Sequence, residues 1–385
     1  MTERLYDRDS HTQRFTATVQ TCAAAAGGWE IALDRTAFFP GGGGQAPDTG
    51  TLNGIPVTDV REDPDGTIFH RTDTPLEAGA AVEGVIDWPV RFHRMQHHSG
   101  EHILSGLTCA LYGCNNVGFH MGEDGVIIDF DRFLDREQLA DLESRANEVI
   151  AQNLPVTVSF PTDEELAVLP YRSKRELTER VRIVTIPGVD CCACCAPHVR
   201  RTGEVGLLRI LESAKHKGGV RLRLLCGSAA YADTRIKLDN VAAISNLLSA
   251  KQNETAAAVE RLLAERDTLK QSLDAAKGRL VAAQLAAIVP TEGNVCLFPE
   301  EFDAIQLRQT ADGGADRCGG ICAVFTGSDE AGYQYVMASR HVDLRARAKE
   351  INAALRGRGG GQSTMIQGTA KAPRAVIEAY FKETL

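Results

Sequence analysis

The sequence lacks the long apolar runs that would place the chain in a membrane or carry it across one. None of its 385 residues lies in a stretch that approaches the roughly 18 consecutive apolar residues of a membrane-spanning helix. The first ten residues, MTERLYDRDS, are charged and lack the apolar core of a secretory signal. We therefore expect a cytoplasmic protein that has no membrane partner.

An excess of positive charge is lacking as well. The formal net charge is −9, which argues against a protein that coats nucleic acid along its whole length. The charge is uneven, because residues 1–90 contain 6 Lys and Arg against 14 Asp and Glu, whereas residues 197–223 contain 7 against 2 and residues 331–385 contain 9 against 4. The two later segments could form local basic patches that contact phosphate groups.

Cysteine, in contrast, is abundant. The chain has 11 cysteines, an odd number, and four of them crowd into residues 191–195. Such crowding suits a metal or redox site in a reducing compartment better than a set of structural disulfides.

The spacing of apolar and turn-forming residues divides the chain into four parts and predicts an α+β fold. Residues 1–90 are rich in turns and alternating patterns and predict a small β-barrel-like domain. Residues 91–231 mix helix and strand signals, residues 232–289 are almost free of glycine and proline and predict a long helical arm, and residues 290–385 predict a C-terminal α/β domain. The strands expected in the first domain are Phe15–Gln20, Trp29–Leu33, Thr67–His70 and Ala81–Ile86.

The predicted arm carries an apolar pattern of heptad type. Its helix should be interrupted near Lys251–Thr255, and Arg266 breaks the apolar seam that follows. The seam consists of Val259, Leu262, Leu269, Leu273, Ala276, Leu280, Ala283 and Ala287. Either a helical hairpin that connects two domains or a zipper between two copies of the chain would produce this pattern.

The stretch HHSGEHILSG, residues 97–106, has two histidines four positions apart. On a helix, residues i and i+4 point the same way, so His98 and His102 could hold one metal ion. His93 and His97 have the same spacing, and the motif by itself does not decide between the two pairs.

A second motif, GVDCCACCAPHV at residues 188–199, supplies further ligands. Cys194 and His198 stand four apart as C-x-x-x-H. Two imidazoles, one thiolate and a fourth ligand suit tetrahedral Zn²⁺. The two motifs together predict one zinc ion per chain, held by His98, His102, Cys194 and His198.

Two other interpretations of these motifs stay open. The histidines also form H-x-x-E-H, the inverted metalloprotease signature, in which Glu101 would be the general base. Such a site needs a carboxylate as its third ligand and gives the C-x-x-x-H motif no role. The doubled cysteines form C-x-x-C pairs, which would suit a thiol redox site or a closed structural zinc. Their spacing favours Cys194 as the ligand over Cys191, Cys192 and Cys195.

Together these motifs resemble the editing domain of alanyl-tRNA synthetase, and most closely the freestanding editing proteins called AlaX. Beyond the two ligand motifs, the similarity lies in Thr202–Gly206, Phe38–Pro40, Gly42–Gln45 and Asp48–Gly50, and it covers about residues 10–230. The arm and the glycines near the C-terminus resemble the DHH-associated domain that follows editing in the synthetase. The whole chain is therefore similar to the long form of AlaX.

Two positions depart from the family's pattern. Gly41 stands where the family usually has an acidic residue before the three glycines, and Ala196-Pro197 stands where it has Gly-Thr before the last ligand histidine. Both changes concern the shape of a loop rather than the ligands. No ATP-binding motif of the synthetase precedes the editing motifs, so we expect no charging of tRNA.

The resemblance implies hydrolysis of a mischarged tRNA, Ser-tRNA(Ala) first and Gly-tRNA(Ala) second. The bond to be broken is an ester, so the reaction needs a placed water and stabilisation of a developing oxyanion. A zinc ion would either lower the pKa of a bound water or fix the substrate and polarise its carbonyl group. With four protein ligands, either one ligand is loose or the ion acts mainly by positioning the substrate.

Five further residues are candidates for the reaction. Gln45 follows a glycine run and could present its amide to the substrate, unless the run is only a tight turn. Thr36 matches the family position whose hydroxyl is thought to favour serine over alanine, unless it is an ordinary strand threonine. Glu101, if it is not a solvated carboxylate, would orient a water or an imidazole. His120 and Asp129 fall where the family places active-site residues.

Contacts to tRNA phosphates are predicted near the metal motif and near the C-terminus, although basic runs are commonly solvated surfaces. The candidates are Arg200, Arg201, Lys217 and Arg221 in the first region and Arg356, Arg358, Gly359 and Gly360 in the second. The expected partner is tRNA(Ala) charged with serine or glycine. A homodimer through the arm or the C-terminal domain is also expected. A zinc protein that binds RNA without hydrolysing it is the remaining alternative.

Overall fold

The alternating N-terminal segment closes into a six-stranded barrel in the computed structural model, which describes residues 1–122, 125–173 and 181–383. The elements of this region are β1 (Glu3–Arg4), α1 (Leu5–Arg8), β2 (Arg14–Ala25), β3 (Gly28–Leu33), β4 (Arg35–Thr36), β5 (Gly50–Leu52), β6 (Ile55–Glu62), β7 (Ile68–Thr72) and β8 (Ala81–Ile86). The barrel order is β2-β3-β7-β6-β5-β8, and pairing of β2 with β8 closes it. The prediction of a barrel-like N-terminal domain is confirmed.

The four predicted strands are present, but β5 and β6 were not predicted. Strand β6, with the sequence IPVTDVRE, contains a proline and three charged residues. It buries only Val57 and Val60, because its register shifts between Val57 and Asp59. This bulge replaces the period of two by which a strand is recognised in a sequence.

The next region packs two helices against a sheet. Its elements are α2 (Trp88–Tyr112), β9 (Asn116–Gly122), β10 (Gly125–Phe130), α3 (Arg136–Ala151), β11 (Thr157–Ser159), α4 (Asp163–Val168), β12 (Ile183–Ile186), β13 (Asp190–Ala193), β14 (Leu208–His216) and β15 (Gly219–Cys226). One sheet has the order β14-β15-β10-β9, and a smaller one has the order β11-β12-β13. The inward side chains of β10 and β15 share a core with Met95, Ile103 and Leu104 of α2.

The predicted arm consists of two helices. Helix α5 spans Gly227–Leu248 and α6 spans Thr255–Ala287, with a 3₁₀ turn at Gln252–Glu254 between them. The interruption therefore lies where it was predicted. Helix α5 starts earlier than expected, because strand β15 leads directly into it at Gly227.

Contact density divides the chain into two units, Met1–Ala243 and Ile244–Leu385. After α6, the second unit contains β16 (Val295–Leu297), α7 (Ala304–Ala315), β17 (Cys322–Ser328), β18 (Gly332–Ala338), α8 (Leu344–Ala354), β19 (Arg358–Gly361), β20 (Met365–Ala370) and α9 (Arg374–Glu383). Its sheet has the order β16-β17-β18-β20-β19, in which only β16 and β17 are parallel. The predicted C-terminal α/β character and the α+β class are confirmed.

Within the described residues, no helix combines the length and the apolar character that crossing a membrane requires.

Candidate metal centre

Helix α2 carries both histidines of the first motif. Its start is defined by the Asp87 carboxylate, which accepts a hydrogen bond from Val90 N at 3.5 Å, and by Pro89 in the first turn. His98 and His102 lie one turn apart on the buried side and are 2% and 3% exposed. Their ring centroids are 5.4 Å apart, so both imidazoles reach the same point.

The competing pair, His93 and His97, takes no part in this cluster. His97 Nδ1 donates to the carbonyl of His93 at 3.0 Å, and its Nε2 accepts from the backbone N–H of Cys226 at 3.2 Å. Burial lowers the pKa of His97 to about 4, which keeps the ring neutral. Both nitrogens of His97 are therefore used in joining α2 to the end of β15.

The loop after β13 brings the second motif to the helix. The Cys194 N–H donates to the carbonyl of Arg182 at 3.0 Å. Arg182 Nη1 in turn donates to the carbonyls of Cys194 and Ala196 at 2.8 and 2.9 Å. Ala196 is buried within the barrel core. The departure from the family's pattern at Ala196-Pro197 is thus accommodated by a methyl group that packs into the barrel and by an arginine that holds the loop.

Four donor atoms converge between the helix and the loop. Cys194 Sγ lies 3.5 Å from His98 Nε2 and 3.4 Å from His198 Nε2. Ligand atoms of His98, His102, Cys194 and His198 all lie within 4.8 Å of one another. Such separations suit the corners of a tetrahedron whose centre is about 2.0–2.3 Å from each ligand. These four residues could hold one metal ion.

The other cysteines of the motif stand outside this group of four. Cys192 forms a second group with His102 and Asp190, whose ligand atoms lie within 4.8 Å of one another, but Arg172 already binds the Asp190 carboxylate. The Cys195 thiol is packed against the glycine run, where a Cβ at Gly42 would come within 3.2 Å of the sulfur. The geometry therefore selects the sulfur that the C-x-x-x-H spacing favours.

Each imidazole of the cluster is held from behind at its other ring nitrogen. The contacts are His98 Nδ1 to Gln45 Oε1 (3.1 Å), His102 Nδ1 to Asp190 Oδ2 (2.9 Å) and His198 Nδ1 to Ser99 Oγ (3.0 Å). A proton on Nδ1 leaves the Nε2 lone pair directed at the cluster, as is usual for metal-bound histidine.

The support behind His102 extends one residue further. Arg172 grips Asp190 with Nε on Oδ1 at 2.7 Å and Nη2 on Oδ2 at 2.9 Å. This bidentate contact fixes the carboxylate in both position and orientation. Sequence reasoning missed Asp190, Arg172 and Ser99, because no spacing rule connects an outer hydrogen-bond partner to its ligand. The only available signal was that Asp190 and Ser99 lie within a few residues of a ligand.

The cluster attracts positive charge. Burial by itself would raise the pKa of the Cys194 thiol, yet the surrounding imidazoles hold it well below its usual value. Burial and the charge of His102 lower the pKa of His198 to about 3. Burial also opposes the charge on His102, but Asp190 and the Cys194 thiolate raise its pKa well above the usual value. The cluster therefore offers the Cys194 thiolate, the neutral His198 imidazole and, at His102, surroundings that favour positive charge. Such a donor set fits Zn²⁺.

Glu101 lies on the buried side of helix α2 and does not contact solvent. Its Oε1 accepts hydrogen bonds from Ser105 Oγ at 2.6 Å and from Asn116 Nδ2 at 2.5 Å. Its Oε2 lies 3.8 Å from His102 Nε2. The carboxylate is completely buried beside the cluster, so the interpretation as a solvated carboxylate is wrong.

Gln45 is placed by a tight turn. Gly42 and Gln45 exchange two backbone hydrogen bonds of 3.0 Å, and Gly43 and Gly44 between them have φ of 59° and 84°, as a type I′ turn requires. A Cβ at Gly44 would also collide with the ring of Phe119. The buried Gln45 side chain uses Oε1 on His98, whereas its Nε2 has no hydrogen-bond partner among the described residues.

Thr36 lies inside the barrel, where its hydroxyl is engaged. His70 Nδ1 donates to the carbonyl of Ile31 at 3.0 Å, so its Nε2 is the acceptor for the Thr36 hydroxyl at 2.8 Å. The Thr36 oxygen also accepts from the Phe38 N–H at 3.1 Å. Burial lowers the pKa of His70 to about 4 and so keeps it an acceptor. That Thr36 reads the serine side chain stays a prediction.

His120 and Asp129 do not face the metal centre. Phe119 packs on His98, with ring centroids 5.1 Å apart, and pairs across the sheet with the buried Ile128. Successive side chains of a strand point to opposite faces, so His120 and Asp129 lie on the outer face. The prediction that they line the site is corrected, since the sequence position of a strand residue does not reveal its face.

The predicted phosphate contacts near the metal motif are largely tied to the protein itself. The pairings are Arg200 with Asp9 (2.7 Å), Arg221 with Asp129 (2.7 Å) and Arg201 with the carbonyl of Asn153 (2.5 Å). Lys217, at the tip of the β14–β15 hairpin with φ of 45°, has no ion pair within the described part of the chain. Of these four residues, Lys217 is the one with its charge available.

In the second unit, the predicted residues belong to an edge strand. Strand β19, Arg358–Gly361, is exposed at all four residues and pairs on one side only, with β20. Arg356 precedes it with φ of 50°. A Cβ at Gly359 would collide with the Tyr335 hydroxyl, so glycine is required there for packing.

Comparison with known proteins agrees with the motifs. The family described as "Threonyl and Alanyl tRNA synthetase second additional domain" matches residues 181–223. The alanyl-tRNA editing protein Aarsd1 of Rattus norvegicus is 27% identical over 403 residues, covering 98% of this chain and 97% of that protein. The alanyl-tRNA editing protein AlaX-L of Pyrococcus horikoshii is 27% identical over 396 residues, covering 97% and 95%. The alanine–tRNA ligase of Halobacterium salinarum is 31% identical over 360 residues, covering 87% of this chain and 38% of the ligase. The resemblance predicted from the motifs is confirmed along nearly the whole chain.

Proposed function

We propose that this chain, which is similar along nearly its whole length to the alanyl-tRNA editing proteins, is a trans-acting deacylase of mischarged tRNA(Ala). Its first substrate is Ser-tRNA(Ala) and its second is Gly-tRNA(Ala). The observation that carries the proposal is the cluster of His98, His102, Cys194 and His198.

The cluster would hold one zinc ion. When bound, the ion supplies Lewis-acid chemistry that favours negative charge on the ester carbonyl. The chain's own contribution is to hold the ligands in the correct tautomer. Asp190, fixed by Arg172, orients His102, and Ser99 orients His198.

Gln45 is proposed to bind the substrate. Its Oε1 accepts from His98 Nδ1, which directs the amide NH₂ away from that ring. The buried Nε2 has no partner among the described residues, so a substrate oxygen that accepted its hydrogen bond would satisfy it. A carbonyl oxygen that gains negative charge during hydrolysis is the acceptor that would benefit most.

Glu101 is proposed to orient the attacking water, to take up its proton at Oε2 and to return that proton to the ribose oxygen as the ester bond breaks. Hydrogen bonds from Ser105 and Asn116 hold Oε1, so the carboxylate cannot rotate freely. Its Oε2 faces the His102 side of the cluster. A carboxylate fixed beside the cluster could act as the general base for an ester that is bound there.

Selection of serine is proposed to depend on the Thr36 hydroxyl. This hydroxyl donates to His70 and accepts from the Phe38 N–H. A substrate hydroxyl could use the remaining lone pair of the Thr36 oxygen, whereas alanine offers no such group. The expected selectivity is therefore against hydrolysis of correctly charged Ala-tRNA(Ala).

For the tRNA itself, we propose contacts by Lys217 and by the residues around β19, namely Arg356, Arg358, Gly359 and Gly360. Their backbone or charge is exposed in the structure. Arg200, Arg201 and Arg221 would first have to leave their protein partners, so we expect them to contribute less. A homodimer through the helical arm is proposed on the exposed leucines of α6.

The direct test is release of labelled amino acid from tRNA(Ala) charged separately with serine, glycine and alanine. We expect fast release of serine, slower release of glycine and little release of alanine. Removal of metal by a chelator should abolish release, and added Zn²⁺ should restore it. Intact Ser-tRNA(Ala) at an excess of protein would contradict the proposal and favour the alternative of a binding protein without hydrolysis.

The metalloprotease alternative is separated by two variants. A protease of the H-x-x-E-H type should lose all activity with Glu101→Gln and keep most of it with Cys194→Ser. The deacylase should lose its metal and all activity with Cys194→Ser and keep a residue of activity with Glu101→Gln. Peptide hydrolysis by the wild type with the first pattern would overturn the proposed function.

A further inference from the structure

The loop that carries Gln45 is held by hydrogen bonds at its base, but its glycine-rich backbone can adopt many conformations. The Asp48 N–H donates to the Phe39 carbonyl at 2.9 Å, and the Asp48 carboxylate accepts from the Phe39 N–H at 2.7 Å. Between them, the four glycines 41–44 all have positive φ, from 59° to 141°. Ordering a glycine run has a large entropic cost, so the hydrogen bonds of the turn need further contacts from outside the loop to fix where Gln45 stands.

These contacts come from one stripe of helix α2. Arg91 Nε lies 2.9 and 2.8 Å from the two carboxylate oxygens of Asp48. Arg94 Nη1 donates to the carbonyl of Pro47 at 2.6 Å, and His98 Nδ1 meets Gln45 at 3.1 Å. Residues 91, 94 and 98 are at i, i+3 and i+7, so they lie on one side of the helix. The helix that supplies two metal ligands therefore also contacts the loop at three positions along its length.

Arg91 and Arg94 differ in their burial and in the number of their hydrogen bonds. Arg91 is 1% exposed, pairs with an equally buried Asp48, and also donates to the carbonyl of Ala37 at 2.6 Å. Removing it would leave a buried charge, which destabilises a protein strongly. Arg94 is half-buried, and its guanidinium donates to the Pro47 carbonyl. Arg94 can thus be changed without taking apart the core.

We propose that Arg94 is a positioning residue of the editing reaction: it latches the glycine loop onto α2 and so sets the Gln45 amide against His98. The inference rests on the proposed function for its catalytic consequence, but not for the latch itself. None of the four metal donors lies in the loop, so loss of the latch should move the amide and leave the ligands in place.

The latch is tested by hydrogen exchange of peptides covering residues 39–48 in the metal-loaded full chain. The amides of Gly42, Gln45 and Asp48 donate loop hydrogen bonds and report its opening. We expect Arg94→Met to speed their exchange by roughly ten- to a hundredfold, the loss of one hydrogen bond from a charged donor. Arg94→Lys, which retains a donor, should be intermediate. Arg14→Met removes an exposed arginine of the barrel that pairs with Glu83, and it should leave the loop unchanged.

The catalytic consequence is tested on Ser-tRNA(Ala). Arg94→Met should lower kcat about tenfold, because displacement of a reacting group by about 1 Å is costly, with KM and zinc content unchanged. The double variant Gln45→Ala with Arg94→Met should be no slower than Gln45→Ala alone, since both act through one amide.

Unchanged loop exchange in Arg94→Met would overturn the latch, whatever the activity. If exchange also rose in the barrel strands, Arg94→Lys decides: a return toward wild-type exchange, or a rise confined to residues 39–48, supports the latch, whereas a rise of the same size in the loop and in the barrel would overturn it. Faster loop exchange in a protein that hydrolyses no mischarged tRNA(Ala) would leave the latch standing and reject the proposed function. Additive losses in the double variant would overturn the route through Gln45.

Discussion

Helices α2 and α6 both depart from the usual arrangement of buried apolar and exposed polar side chains. Helix α2 buries polar side chains, whereas α6 exposes apolar ones. Helix α2, with 25 residues, buries a series of polar and ionisable side chains. They are Arg91, Gln96, His97, His98, Ser99, Glu101, His102, Ser105 and Thr108. Helix α6, with 33 residues, buries only Ala258 and Val281. Its exposed apolar residues are Val259, Leu262, Leu263, Leu269, Leu273 and Leu280.

The two exceptions have different physical causes. A buried polar group destabilises the fold unless it is paired, and on α2 the pairs exist: Arg91 has Asp48, and Glu101 has Ser105 and Asn116. The polar burial of α2 is therefore an organised site. On α6 the apolar surface is exposed within a single chain, and the dimer proposed through the arm rests on this exposure.

The largest effect is expected at the sulfur that completes the α2 cluster. Cys194→Ser should abolish metal retention and lower deacylation by at least about a hundredfold, because a serine hydroxyl is a poor replacement for a thiolate ligand of Zn²⁺. The measurements are metal content by elemental analysis and serine release from Ser-tRNA(Ala). Cys195→Ser, one residue away and outside the four donors, is the control and should retain its metal. Metal loss in Cys195→Ser with retention in Cys194→Ser would mean that the wrong sulfur has been assigned.

An intermediate effect is expected behind His102. Asp190→Ala removes the acceptor of His102 Nδ1 and leaves Arg172 without its partner, so zinc affinity should fall about 10- to 100-fold. Competition with a chelating dye measures this affinity. Asp190→Asn keeps one acceptor oxygen and should lose less, while Asp129→Asn, on the outer face of the sheet, should not change zinc affinity. A wild-type affinity in Asp190→Ala would show that the outer contacts of α2 do not support the ligands.

The smallest effect on stability is expected on α6. The double change Leu269→Lys and Leu273→Lys alters side chains that are 69% and 54% exposed, so each should shift the unfolding free energy of the chain by no more than about 0.5 kcal/mol. The same change should convert a dimer into a monomer by sedimentation, because lysines would be buried in the zipper. Val376→Lys, at an exposed apolar position of α9, is the control. A dimer that tolerates both lysines would remove α6 from the interface.

Local patterns predicted much of the fold. The barrel strands with regular alternation and the interruption of the arm were predicted, because each depends on neighbours in the chain. Strand β6 was missed, because its bulge destroys the alternation.

The metal ligands of the site were predicted, but the residues that hold these ligands in place were not. Residues that bind a metal have characteristic types and spacings, so His98, His102, Cys194 and His198 could be named before their geometry was known. Asp190 contacts His102, Arg172 contacts Asp190 in turn, and Arg94 contacts the carbonyl of Pro47 in the loop of Gln45. Such contacts leave no periodic trace in a sequence.

By itself, therefore, the sequence determined the chemistry that is available: three imidazoles, a thiolate beside three other thiols, a flexible glycine run and a basic C-terminal segment. Only the tertiary structure decided among equivalent candidates. It brought His98 and His102 rather than His93 and His97 to the cluster, placed Cys194 beside them as its spacing had indicated, and turned His120 and Asp129 to the outer face of the sheet. The reason is that spacing along a chain records which side chains share one element, whereas the meeting of distant elements depends on how their buried surfaces fit together.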